Sequence, residues 1–63
     1  MISYDRRTVK NGKDEFEFRG MSTDTKPVGE YDGRVIANGS VFVEIDSGAV
    51  LMYDEGNESW KAW

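Results

Sequence analysis

Val41-Phe42-Val43-Glu44-Ile45, then Asp46-Ser47-Gly48, then Ala49-Val50-Leu51-Met52-Tyr53: this uninterrupted stretch decides the fold class. Its two outer runs are rich in β-branched and aromatic residues and are bounded by turn formers, the signature of strands. The connector ends in glycine, which takes left-handed backbone without steric cost, so the three pieces predict a hairpin turning at Gly48. Further along, Asp54-Glu55-Gly56-Asn57 is a second turn whose Gly and Asn tolerate positive φ. Glu58-Ser59-Trp60-Lys61-Ala62-Trp63 then supplies a third strand. Residues 40–63 are therefore expected to form a three-stranded antiparallel meander. Side chains alternate across a strand: Val41, Val43 and Ile45 oppose Phe42 and Glu44, while Ala49, Leu51 and Tyr53 oppose Val50 and Met52. Neither strand has a wholly polar face. Such a sheet needs cover on both sides, some of it from another molecule.

Toward the N-terminus, Arg7-Thr8-Val9-Lys10 and Asp14-Glu15-Phe16-Glu17-Phe18-Arg19 flank Asn11-Gly12, a strong two-residue hairpin signal. Phe16 and Phe18 alternate with Glu15, Glu17 and Arg19, as a half-buried strand requires. Residues 1–19 are read as an N-terminal hairpin and residues 20–39 as an irregular connection. In that connection Lys26-Pro27 disfavours helix, and Asp32-Gly33 and Asn38-Gly39 bracket a short Arg34-Val35-Ile36. No segment has apolar residues at helical spacing. The expected fold is all-β: one domain, a small antiparallel sheet or partly open barrel, completed by oligomerisation.

Composition narrows the function classes. With 63 residues, the chain buries a modest fraction of its surface and is expected to lean on oligomerisation or a docked partner. It has no cysteine and no histidine, so disulfides, thiolate metal sites and the usual neutral-pH general base are unavailable. The net charge of −4 runs against the positive field that duplex binding needs, and no nucleic-acid partner is expected. No apolar run is long enough to cross a bilayer, and Met1-Ile2-Ser3-Tyr4-Asp5-Arg6 lacks a signal-peptide core, so no membrane association is expected either.

The chain contains twelve Asp and Glu, but it is too short to build the cleft that a catalytic carboxylate pair occupies. Asp54-Glu55-Gly56-Asn57-Glu58 departs from calcium-loop spacing and is read as solvated turn chemistry. Serines 22, 40, 47 and 59 have no histidine to activate them, and no glycine run matches a phosphate loop. No enzyme activity, metal or cofactor is expected. Trp60 is read as the core plug of the last strand. Trp63, on the opposite parity, is read as an interface anchor of the kind Trp and Tyr supply, with Met52 and Met21 in the same adaptable role.

Asn38-Gly39-Ser40, Phe42, Glu44, Asp46-Ser47-Gly48, Tyr53-Asp54-Glu55 and Trp60 together resemble a pattern found in short proteins of tailed bacteriophages and prophages. Phe18, Gly20, Ser22-Thr23-Asp24 and Lys26-Pro27 resemble a second segment of such proteins. Ala49 departs from the polar residue expected at its position. The resemblance covers about half of the chain and implies a small structural module located on the virion and made in the host cytoplasm. It would be a capsid decoration, head-fibre or tail-associated protein that binds other virion proteins and itself. On this reading the interface falls to Phe42, Met52, Tyr53 and Trp63. Phe16, Phe18, Val43, Ile45, Leu51 and Trp60 would then serve the fold. Two other readings compete. One is a non-virion phage protein that inhibits a host factor, as an acidic mimic of nucleic acid. The other is a small SH3- or OB-type barrel with a basic groove from Arg6, Arg7, Lys10 and Lys13.

Overall fold

A computed structural model describes residues 2–63. Seven strands follow in order: β1 Ser3–Lys10, β2 Lys13–Gly20, β3 Glu30–Tyr31, β4 Arg34–Ile36, β5 Val41–Glu44, β6 Val50–Asp54 and β7 Ser59–Ala62. The described residues are all-β, and both expected hairpins form. β1 pairs antiparallel with β2 across Asn11-Gly12, and β5, β6 and β7 make the antiparallel meander. Gly48 takes the left-handed conformation at φ 78°. In the following turn the positive φ falls on Glu58, at 48°, and on neither Gly56 nor Asn57.

The sheet is mixed, where an antiparallel sheet or a partly open barrel was expected, and it does not close into a barrel. β2 is the reason. Its first residues pair with β4 in parallel (Lys13↔Val35, Asp14↔Ile36), and its last four pair with β5, also in parallel (Glu17↔Val41 to Gly20↔Glu44). Residues 34–44 thus run beside β2 as one strand interrupted in the middle. A side chain bridges the interruption. The buried Ser40 hydroxyl accepts the Phe16 amide at 3.0 Å and donates to the Ala37 carbonyl at 2.8 Å, while the Ala37 amide reaches the Asp14 carbonyl at 2.8 Å. Asn38-Gly39 therefore makes a kink and does not reverse the chain. The connection expected to be irregular holds two short strands, joined through Asp32 (φ 54°) and Gly33 (φ 78°), as a tight primed turn requires.

Parallel pairing obliges the chain to cross back over the sheet between β2 and β4. That crossing, residues 21–29, lies on the aromatic face and provides its cover. Cross-strand partners share a face, so Tyr4, Phe18, Phe42 and Leu51 form one row, with Phe16, Tyr53 and Trp60 beside them. Phe16 and Phe18 stack at 5.0 Å, and Tyr31 and Trp60 meet Phe18 edge-on at 5.1 and 6.0 Å. These contacts gather every aromatic residue except Trp63, and such pairs add to the area they bury. The crossing is bonded to them at several points. The Tyr53 hydroxyl accepts the Gly29 amide (2.8 Å), and the Trp60 indole donates to the Pro27 carbonyl (2.8 Å). Lys26 pairs with Glu44 at 2.8 Å and sits 4.8 Å from the centre of the Phe42 ring. Asp46 accepts both the amide and the hydroxyl of Ser22.

The crossing starts at Gly20, where a Cβ would lie 2.9 Å from both Asp24 Oδ2 and the Phe42 ring. Gly20→Ala is therefore expected to lose about 1–3 kcal/mol, read as a lower urea midpoint.

At the other end of the aromatic face Asp14 is buried, 1 % exposed, and its carboxylate meets Arg34 at 2.8 Å and Arg6 at 3.6 Å. Arg6 also reaches Asp32, which accepts the Tyr4 hydroxyl at 2.6 Å. The Arg34 hydrogen bond holds the Asp14 carboxyl below the usual range; Lys26 does the same for Glu44, Ser22 for Asp46 and Lys13 for Glu55. A carboxyl depressed in the folded state contributes stability that is complete above its unfolded pKa, about 4, and lost as pH falls through the folded value. The melting temperature should accordingly hold from neutrality to about pH 5 and drop below about pH 4. Asp14→Asn should make that acid decline shallower in a circular-dichroism titration.

Candidate interaction surface

With the aromatic face covered, the opposite face of the sheet stands open. The molecule measures 33 × 21 × 15 Å, and its least dimension accommodates one sheet with cover on a single side. Strand register lays out the open face in rows. Ser3, Arg19, Val43 and Val50 lie across β1, β2, β5 and β6, and the Trp63 amide donates to the Val50 carbonyl at 2.9 Å, placing Trp63 next in line. The neighbouring row is Asp5, Glu17, Val41, Met52 and Lys61. One half of the face is charged and the other is apolar.

The charged half is internally neutralised. Arg7 pairs with Glu15 at 2.8 Å, and Arg19 pairs with Glu17 and Asp5, both at 3.2 Å. The apolar half has no such satisfaction. Val41, Val43 and Val50 are half-buried, Met52 is 37 % exposed and Trp63 is 79 % exposed. Ile45, just beyond β5, is 62 % exposed. Between the hairpin turn and Trp63, residues Gly48, Ala49, Val50 and Ala62 line an open groove of about 480 Å³. Lys61, on this face, has no carboxylate at ion-pair distance among the described residues.

The four residues expected at an interface divide evenly. Met52 and Trp63 stand on the open face. Phe42 and Tyr53 are core residues, 0 % and 2 % exposed, and their expected exposure is corrected. Met52 and Tyr53 are adjacent in β6, so strand alternation sends them to opposite faces. Val43 and Ile45, assigned to the fold, belong to the open side, whereas Phe16, Phe18, Leu51 and Trp60 pack in or against the core. Val41, Val50 and Lys61 were not anticipated at the surface site. Carrying the parity of Met52 across the hairpin would have found all three.

Polar residues of the stretches 18–27 and 38–60 are occupied in holding the fold. Ser22 and Asp46, Lys26 and Glu44, and Ser40 with the Phe16 amide bind each other within the chain. Glu55 binds Lys13 and exchanges bonds with Asn38, and Asp54 accepts from Asn57. Among the described residues no group of three acidic side chains gathers around a metal-sized site. Arg6, Arg7 and Lys13, proposed as part of a basic groove, are each paired with a carboxylate. No family model, no curated protein and no solved structure matches the chain.

Truncation should separate the two faces. Trp63→Ala is expected to change the folding free energy of the dilute protein by less than about 0.5 kcal/mol, as for surface sites. Phe42→Ala should cost about 3–5 kcal/mol. Chemical denaturation followed by circular dichroism measures both, and equal losses would remove the distinction drawn between them.

Proposed function

We propose that this chain is a non-enzymatic bacteriophage virion module, a capsid-decoration, head-fibre or tail-associated protein that works through protein–protein contacts on its open sheet face. The observation that carries the proposal is the apolar strip of Val41, Val43, Val50, Met52 and Trp63, left open in a chain whose other face carries the aromatic core under residues 21–29. Exposed contiguous apolar surface marks interaction sites, and Trp and Met are enriched in their centres. The resemblance to short phage proteins supplies the setting. Its polar residues support the fold, which leaves the work of binding to the strip.

The host-inhibitor reading draws less support. A mimic of nucleic acid needs carboxylates free to stand in for phosphates, whereas Asp14, Glu44, Asp46 and Glu55 are spent on contacts within the chain. A module present in many copies on one particle needs only a complementary apolar surface.

Quantitative mass spectrometry of purified particles tests the proposal. Many copies per particle are expected, and Met52→Asp, which places a charge in the strip, should reduce that number at least tenfold while the purified variant remains folded. Absence from particles, with abundance in the infected cell, would overturn the virion assignment.

A further inference from the structure

We infer that the open face is closed by a second copy of this chain, related by a twofold axis that runs parallel to the strands between β5 and β6. This inference names the first partner of the surface just described and rests on that reading of it.

The register carries the argument. A twofold axis in that position lays the sheet of one copy on the sheet of the other with the order of strands reversed, so β5 faces β6 and β2 faces β7. Rows are preserved. Val41 then meets Met52 of the second copy, and Val43 meets Val50, which covers the apolar strip with itself. On the flanks Glu17 comes over Lys61, and Arg19 over the ring of Trp63. Each contact occurs twice by symmetry. Lys61 thereby gains the carboxylate it lacks among the described residues, and the exposed indole of Trp63 receives a guanidinium, the cation that most often stacks on such rings. The result is an aligned two-sheet sandwich, whose inner faces interdigitate at about 10 Å with a modest rotation from sheet twist.

A twofold perpendicular to the strands would also superpose the apolar strips. It would set Glu17 over Arg19, which already pair within one chain, and Lys61 over Trp63, leaving the Lys61 charge without an anion. Coulomb attraction favours the parallel axis.

Charge exchange tests this arrangement directly. Sedimentation equilibrium of the full chain should show a reversible dimer. Glu17→Lys and Lys61→Glu should each raise its dissociation constant at least tenfold, because each places two like-charge pairs in the interface. An equimolar mixture of the two variants should restore association to within about threefold, since both flanking pairs in the mixed dimer are again opposite in charge. Isotope-filtered NMR on a half-labelled sample should show contacts between the methyls of Val41 and Met52 from different copies. A chain that stays monomeric to about 1 mM, or variants whose mixture fails to recover, would overturn the pairing. A monomer found in many copies on particles would overturn it and leave the module reading standing, whereas a rescued dimer absent from particles would do the reverse.

Discussion

The crossing segment bonded across the aromatic face is what the rest of the structure depends on. A lone sheet exposes both sides to water, and a chain of 63 residues has no helix or second sheet to spare among its described elements. Residues 21–29 perform that service as irregular backbone, whose polar groups need partners once they lie against an apolar surface. Tyr53 and Trp60 satisfy that need with the same side chains that fill the core. Each ring packs among the phenylalanines while its polar atom holds a backbone group of the crossing, at Gly29 and Pro27. Lys26 adds its ammonium to Glu44 and its position over Phe42. Core packing and loop fixation are therefore one set of contacts, and neither is made without the other.

The same economy explains the mixed sheet. A parallel neighbour for β2 demands the crossing, and the crossing delivers β4 and β5 to the edge of β2 in two pieces. Ser40 carries the ladder over the gap between them by substituting a hydroxyl for a backbone carbonyl. At the far end the Asp14 carboxylate, with Arg34 and Arg6, ties β1, β2 and β4 together where the aromatic cluster ends. Both guanidinium groups retain contact with water, so the buried carboxylate is paired without leaving a second charge stranded.

All of this cover is spent on one side. The opposite face divides into a charged half, whose residues pair with one another, and an apolar half that ends in Trp63. The division follows strand by strand: β1 and β2 contribute charges at the outward positions, while β5 and β6 contribute valines and Met52. Water is well served by the first half and poorly by the second. Small domains that cannot bury enough surface alone often complete their cores by association, and this strip is exposed apolar surface of that kind. The strip and the core can then be altered separately, because the residues of each point to opposite sides of the same strands.

Local sequence was enough for several elements. The alternation of Phe16 and Phe18 with charged neighbours, the Asn11-Gly12 and Asp46-Ser47-Gly48 turns, and the runs 41–45 and 49–53 depend on contacts between near neighbours, so all-β character and both hairpins were legible. Which face of the meander would be covered was not. Val43 and Phe42 are both apolar, as are Met52 and Tyr53, and alternation divides each pair without saying which member goes inward. The crossing segment decides that, and it docks through the Tyr53 hydroxyl and Trp60 indole, long-range contacts that leave no periodic trace in the sequence. The parallel pairing of β2 was hidden for the same reason: Asn38-Gly39 carries the composition of a reversing turn, and only the Ser40 hydroxyl meeting the Phe16 amide, 24 residues away, makes it a kink in a continuing strand.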